Sequence, residues 1–306
     1  MVYLTGVTLL WAFSYSLIGV YLSGQVDSYF AVLMRIALAG LVFLPLLRPR
    51  SISWRARLGL MGIGAIQLGI MYLFFYQSFL LLSVPEVLLF TIFTPVYITL
   101  IDDSIARRFS PRYLGVAVLA VTGAAVIRYD GITADFWLGF LVVQGANIAF
   151  AFGQVGYRHL STRLPGDIAH RHLFGWFYLG ALCVALPAFW LLGDATQLPT
   201  QAIQWVVLAW LGIVASGLGY FLWNTGACRV DAGTLAVMNN VLIPAGLLVN
   251  LVIWNRDADL VRLALGAMIL GASLWLNARW ARRRKTTHLE PIDAGASAAS
   301  STATRS

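Results

Sequence analysis

Charged residues are scarce in this chain of 306 residues. Only 11% of them are Asp, Glu, Lys or Arg, whereas 59% are hydrophobic. A soluble globular domain carries about a quarter charged residues, so this composition excludes one. The apolar residues form runs long enough to cross a bilayer, for which a helix needs about 20 residues. The sequence therefore predicts an all-α polytopic membrane protein.

Cysteine and lysine are also rare. Cys183 and Cys228 lie in apolar sequence and are too few for a disulfide framework, so we interpret them as small packing residues. Twenty of the twenty-one basic residues are Arg, and they are scattered between hydrophobic runs. Despite the formal net charge of +8, this distribution argues against nucleic acid as a partner and is typical of membrane orientation signals.

Titratable side chains are nearly absent from the hydrophobic runs. The thirteen acidic residues lie in loops, helix ends or the C-terminal segment, and the four histidines lie on one predicted side. Proton-driven carriers usually bury a carboxylate or histidine in their spans, and metal sites need clustered ligands. We therefore expect no enzyme activity, no cofactor and no metal. Arg35 and Glu86 are the two charged residues with a candidate role, because they lie closest to the interior of a run.

Ten hydrophobic runs are present. Lys and Arg divide 17 to 3 between the two sides that these runs define, which predicts that both termini are cytoplasmic. The first run is expected to be a retained span, because it has no charged start and no small-residue cleavage site. The predicted spans are 2–22, 29–47, 58–81, 85–101, 111–127, 134–156, 171–192, 202–228, 232–254 and 260–280.

Glycine and proline positions recur between the first five spans and the last five. Pro95 corresponds to Pro244, and Gly69 corresponds to Gly217 or Gly219. Five spans is an odd number, so the two units, 1–130 and 131–285, must have opposite orientations; 286–306 is predicted to be a disordered cytoplasmic tail. Inverted repeats are typical of secondary transporters. The alternative is that the glycines only let helices pack closely.

Neutral polar and aromatic side chains gather halfway along spans one, three, four, six, eight and nine. Each either bonds a neighbouring helix or lines a cavity, because an amide in hydrocarbon needs a partner. For the set as a whole we predict a substrate cavity with apolar walls and a few polar groups. The predicted substrate-binding residues are Trp11, Ser14, Tyr15, Tyr72, Tyr76, Thr91, Tyr97, Gln144, Asn147, Tyr220, Trp223, Asn224, Asn239 and Asn240.

Three further residues have predicted roles near that cavity. Pro95 and Pro244 interrupt the backbone hydrogen bonding of their spans and are candidate hinges for alternating access, although a static bend is the simpler interpretation. Arg35 snorkels to the outer interface, pairs with carbonyl groups, or grips a substrate carboxylate.

The chain resembles the EamA-type drug/metabolite transporters. The resemblance is carried by Leu10-Trp11, by Tyr76-Gln77-Ser78-Phe79 followed by Thr94-Pro95, and by Pro244, and it covers about residues 1–280. It implies ten helices arranged as two inverted five-helix repeats around a central cavity.

Within that family, the chain is most similar to the bacterial aromatic amino-acid exporters. Trp11, Glu86 ahead of Thr94-Pro95, and Trp223-Asn224-Thr225-Gly226 carry this similarity. Many family members end the fourth helix of each half with Gly-Glu. Here Ile101-Asp102-Asp103 and Trp254-Asn255-Arg256 stand instead, so no role is transferred to that acidic position.

The resemblance implies export of amino acids, aromatic ones included, across the bacterial inner membrane. Aromatic side chains would receive the apolar part of the substrate, and amides would meet its zwitterionic end. The lack of a buried acid predicts transport without obligatory proton coupling. The alternatives are an exporter of another small metabolite or drug and, outside transport, a membrane scaffold or sensor. The expected partners are the substrate and the lipid bilayer, and the simplest expected oligomeric state is a monomer.

Overall fold

A computed structural model describes residues 2–48, 52–105, 133–164, 168–230 and 232–254, together with six single positions between 261 and 275. Every regular element in these residues is helical. The long helices are α1 (Val2–Tyr21), α2 (Ser28–Leu46), α3 (Trp54–Leu81), α4 (Val84–Ile105), α5 (Ala134–Ser161), α6 (Phe174–Leu192), α7 (Ala202–Ala227) and α8 (Ala232–Ile253).

Helices α1 to α7 are long and apolar enough to cross a membrane, α6 when counted with the preceding turn His170–His172. Most ends lie within one residue of the prediction, but three helices are longer than predicted. Helix α3 begins at Trp54 rather than at 58, α4 continues to Ile105 beyond 101, and α5 continues to Ser161 beyond 156. These extensions carry Arg, Asp and His, because helical hydrogen bonds are local and continue past the edge of the apolar run.

The predicted fifth span, 111–127, and the tail, 286–306, lie outside the described residues, as does the tenth span, 260–280, apart from the six single positions. Helix α8 contains the apolar stretch Met238–Ile253. The count of ten helices therefore stays a prediction.

The helix contacts have a repeated pattern. Helix α1 packs against α7 and α8, and α5 packs against α3 and α4. Helix α2 packs against α6 and α7, and α6 also packs against α3. If α1 is exchanged with α5, α2 with α6, α3 with α7 and α4 with α8, the same set of helix pairs results. The exchange also relates two π-helical segments, Ala65–Ile70 in α3 and Trp210–Leu218 in α7.

At one of these crossings the backbones of α3 and α6 come into contact. A Cβ atom added at Gly64 would overlap the carbonyl group of Phe177, and one added at Gly180 would overlap the carbonyl group of Met61. Glycine is therefore required at both positions, because any side chain would force the two helices apart.

Candidate functional site

A cavity lies in the interior of the helix bundle, with about 610 Å³ of space free of atoms when its opening is included. All the long helices except α6 contribute to its wall. The lining residues are Trp11, Ser14, Tyr15, Arg35, Met71, Tyr72, Phe75, Thr91, Thr94, Ala146, Asn147, Phe150, Tyr220, Asn239 and Leu242.

The indole ring of Trp11 anchors an aromatic wall. Its ring centroid lies 4.9 Å from that of Tyr220 and 6.0 Å from that of Phe150. Its Nε1 atom donates a hydrogen bond of 2.9 Å to the carbonyl oxygen of Ala215. Ala215 belongs to the π-helical segment of α7, where the regular i→i−4 bonding is interrupted. The ring is therefore held both by stacking and by a backbone carbonyl 204 positions away.

A corner of neutral amides and hydroxyls lies where α4 meets α5. In α4 the backbone N–H of Thr94 bonds to the carbonyl oxygen of Thr91 in a 3-10 turn, rather than to that of Phe90 as in a regular α-helix. Asn147 donates to the carbonyl oxygen of Phe90 instead, at 2.8 Å. The same amide nitrogen donates to Gln144 Oε1 at 3.1 Å, and Asn147 Oδ1 accepts from Thr94 Oγ1 at 3.2 Å. Asn147 thus closes the break that precedes Pro95 in α4 and also lines the cavity.

Another part of the wall, on α2, contains a buried guanidinium group. Arg35 is only 2% exposed, so the snorkelling interpretation is wrong for it. Its Nε atom donates to Ser216 Oγ at 2.9 Å, its Nη1 atom to Tyr76 Oη at 3.2 Å, and its Nη2 atom to Tyr72 Oη at 3.0 Å. The guanidinium carbon also lies 4.3 Å from the centre of the Tyr72 ring, close enough for a cation–π interaction. Among the described residues, the hydrogen-bond partners of this cation are neutral hydroxyl groups.

Eight of the fourteen predicted substrate-binding residues reach the cavity wall. They come from α1, α3, α4, α5, α7 and α8, so the structure brings together side chains that are far apart in the sequence. These eight are Trp11, Ser14, Tyr15, Tyr72, Thr91, Asn147, Tyr220 and Asn239.

The other predicted substrate-binding residues lie off the wall. Tyr76 contacts Arg35, and Tyr97 donates to Gln144 Oε1 at 3.2 Å. Trp223 packs against Trp11 with a ring separation of 5.0 Å.

Three predicted residues with carbonyl or carboxylate side chains lie away from the cavity wall, and two of them have structural contacts. Asn224 accepts from Gln67 Nε2 at 3.4 Å, and Asn240 is half-buried away from the cavity. Glu86 accepts from the backbone N–H and hydroxyl of Ser83, both at 2.8 Å, and so caps the N-terminus of α4. This capping box explains why an acid is placed near the membrane interior.

Comparison with known proteins gives a consistent result. A model described as the EamA-like transporter family matches residues 1–129. The chain is 58% identical to a probable biotin transporter of Pseudomonas aeruginosa over 277 residues, which cover 90% of this chain and 97% of that protein. It is 51% identical over 280 residues to the biotin transporter of Escherichia coli strain K12, covering 91% of this chain and 93% of that one.

The chain belongs to the EamA-like transporter family. It is accordingly a multi-pass membrane transporter rather than an enzyme, as predicted from the sequence. A solved crystal structure that is 18% identical superposes with a TM-score of 0.64 over 89% of this chain and 94% of that one, which shows a shared fold. The expected similarity to the aromatic amino-acid exporters is not supported, because these relatives carry the name of biotin.

In this EamA-like transporter, six cavity residues were not among the predicted set. Phe75 follows Tyr72, Thr94 follows Thr91 and Phe150 follows Asn147, each at i+3. Helical spacing from the predicted residues could therefore have found all three. Met71, Ala146 and Leu242 carry no polar signal in the sequence. Among the described residues, no group of three His, Cys, Asp or Glu side chains is placed to hold a metal ion.

Two substitutions of Trp11 should separate its hydrogen bond from its packing. We expect Trp11→Phe to lower the free energy of unfolding by about 1 kcal/mol, because the carbonyl of Ala215 loses its donor. We expect Trp11→Ala to lower it by about 3–5 kcal/mol, because a large buried ring is lost. Thermal unfolding in detergent measures both, with Trp190→Phe at an 84% exposed position as control. Equal losses for the two Trp11 variants would contradict the assignment.

Proposed function

We propose that this transporter carries biotin across the bacterial inner membrane, through the central cavity and by alternating access. Biotin is proposed as the substrate because the relatives named above are biotin transporters by name. One observation on this chain supports the same substrate. The cavity combines aromatic walls with neutral amides and hydroxyls, and no acidic side chain in the described residues lines it.

The neutral corner suits the ureido group of biotin, which presents two N–H donors and one carbonyl acceptor. Asn147, Thr91, Thr94 and Asn239 present amide and hydroxyl groups to the cavity. The buried hydroxyl of Ser14 has no hydrogen-bond partner among the described residues, although it also lines the cavity. Since an unpaired buried polar group is costly, Ser14 Oγ is a natural contact for a polar ligand.

The same cavity suits amino acids less well. An amino acid carries an α-ammonium group as well as a carboxylate, and desolvating that cation without an anionic partner is costly. Of the described acidic residues, Glu86 caps a helix and Asp102 pairs with His159 at 3.3 Å, outside the cavity. The alternative of another small metabolite therefore fits better than the amino-acid expectation, and biotin is the metabolite that the relatives' names supply.

For the transport cycle, we propose the ten-helix architecture with the inverted units 1–130 and 131–285, cytoplasmic termini and hinges at Pro95 and Pro244. The exchangeable helix pairings support this arrangement, as do the π-helical segments in α3 and α7. Both prolines remove a helical hydrogen bond within a cavity-lining helix. Movement of one unit against the other would then expose the cavity to each side in turn.

A competition experiment tests the substrate. Purified protein in detergent is incubated with labelled biotin and challenged with unlabelled biotin, phenylalanine, tryptophan or tyrosine. We expect unlabelled biotin to displace the label and the three amino acids to leave it in place at the same concentration. Displacement by the amino acids, with weak or no retention of biotin, would restore the amino-acid interpretation.

Uptake into proteoliposomes tests the absence of proton coupling. With the membrane potential clamped, the initial rate of biotin uptake should be the same with and without an imposed pH gradient, because the described cavity contains no carboxylate or histidine. Empty vesicles and vesicles without a gradient serve as controls. Uptake only in the presence of the gradient would show that a titratable group takes part in the cycle.

A further inference from the structure

Arg35 has hydrogen-bond partners but no anionic partner in the described part of the chain. Its partners are the hydroxyl groups of Ser216, Tyr72 and Tyr76. None of the described acidic residues forms an ion pair with it or shares the cavity wall with it. A buried cation without a counter-ion is unusual, since buried charges are normally paired.

The guanidinium group also has unused donors. Arginine has five N–H groups, and the described contacts use one on each of its three nitrogens. One N–H on Nη1 and one on Nη2 are left, and Arg35 itself lines the cavity. Paired N–H groups on the two terminal nitrogens match the two oxygens of a carboxylate, which arginine binds in a bidentate way.

The three hydroxyl partners fix the position of this group. Ser216 lies in the π-helical segment of α7, and its hydroxyl also hydrogen-bonds Tyr72 Oη at 2.8 Å. Tyr178 donates to the backbone carbonyl of Ser216 at 2.7 Å, which ties α6 to the same turn. Helices α2, α3, α6 and α7 thus hold the cation in one place before any ligand enters, which lowers the ordering cost of binding.

We infer that Arg35 is the anchor for the carboxylate of the substrate, so that the transporter selects a monoanionic carboxylic acid rather than its neutral derivatives. The inference rests on the proposed function and adds to it the orientation of the bound substrate in the cavity. The carboxylate lies at the wall formed by α2, α3 and α7, and the ureido ring points towards the amide corner of α4 and α5. The ligand supplies the anion that the described residues do not.

The first test uses the wild-type protein and two ligands that differ only at the carboxyl group. Biotin and its uncharged primary amide, biotinamide, compete with labelled biotin for the purified protein. We expect biotinamide to compete at least about tenfold more weakly than biotin, the ratio that corresponds to ~1.4 kcal/mol. Desthiobiotin, which keeps the carboxylate but lacks the sulfur, should compete better than biotinamide.

The second test removes the charge. Arg35→Gln should weaken biotin binding by about tenfold or more while biotinamide binding changes little, so that the preference for the acid disappears. Arg35→Lys keeps the charge without the planar fork and should retain part of the preference. Arg55→Gln is the matched control, because Arg55 contacts the ring of Trp54 at the start of α3 and does not line the cavity.

The outcomes separate this inference from the proposed function. If the wild-type protein binds biotin and biotinamide equally, the anchor is wrong and biotin transport stands. If Arg35→Gln elutes as folded protein and keeps the wild-type preference for the acid, Arg35 has only a structural role. If the wild-type protein retains neither ligand, the proposed function fails and the anchor fails with it. Should Arg35→Gln not fold, the comparison of the two ligands in the wild type decides the question.

Discussion

Replacing Asn147 by alanine should both destabilise the protein and reduce biotin uptake at least about tenfold. Two described side chains donate to the carbonyl oxygen of Phe90, Asn147 at 2.8 Å and Gln144 at the longer distance of 3.4 Å. Asn147 also accepts a hydrogen bond from Thr94. Without it, the break in α4 leaves a buried carbonyl poorly paired, which costs about 1–3 kcal/mol. The loss of uptake follows because the same amide lines the cavity.

Asn250→Ala is the matched control for this change. Asn250 is also a buried amide, but it donates only to Ser16 Oγ at 3.1 Å and lies off the cavity wall. We expect this variant to keep most of the uptake. Thermal unfolding in detergent and initial uptake rates in proteoliposomes measure the two effects. If both variants lower uptake by the same factor, Asn147 is a general packing residue rather than part of the site.

A large loss of stability is also expected from Gly180→Ala. The new Cβ atom would overlap the backbone carbonyl of Met61, and a backbone group cannot rotate away as a flexible side chain can. The α3–α6 crossing would have to open, at a cost of about 3 kcal/mol or more. We expect the variant to show a sharply lower unfolding midpoint, or to be recovered only as aggregate, and Gly64→Ala to behave in the same way.

Gly62→Ala provides the comparison, two residues before Gly64 on the same helix. A Cβ atom at Gly62 would meet nothing within 4 Å. Removing a glycine from a helix interior should then leave stability unchanged or raise it by about 0.5–1 kcal/mol. A Gly180→Ala protein as stable as Gly62→Ala would show that the helices are not in backbone contact.

The described spans and much of the cavity lining could be predicted from the sequence because both depend on local patterns. Run length gave the spans, since crossing hydrocarbon sets a minimum helix length. Helical spacing places Phe75 on the same face of α3 as the predicted residue Tyr72, and both line the cavity. The helix ends were less predictable, because α3, α4 and α5 continue into polar sequence.

Contacts between residues that are far apart in the sequence could not be predicted. Tyr220 and Trp223 share a predicted helical face, yet only Tyr220 reaches the cavity while Trp223 packs against Trp11. The environment of Arg35 depends on Ser216, 181 positions away, and so its choice between snorkelling and burial is not encoded locally. The substrate is likewise not encoded in a short motif, because aromatic rings and amides serve many small ligands.

Counterflow of labelled biotin tests most directly whether the cavity is the path of transport. Proteoliposomes loaded with unlabelled biotin are diluted into labelled biotin, with wild-type protein, Ala146→Phe, Ile148→Phe or no protein. Ala146 lines the cavity on α5, whereas Ile148, two residues later, is 47% exposed. We predict transient accumulation of label with the wild type and with Ile148→Phe, and none with folded Ala146→Phe or empty vesicles. No accumulation with the wild type would contradict biotin transport, and accumulation at the wild-type rate with Ala146→Phe would contradict the cavity as its path.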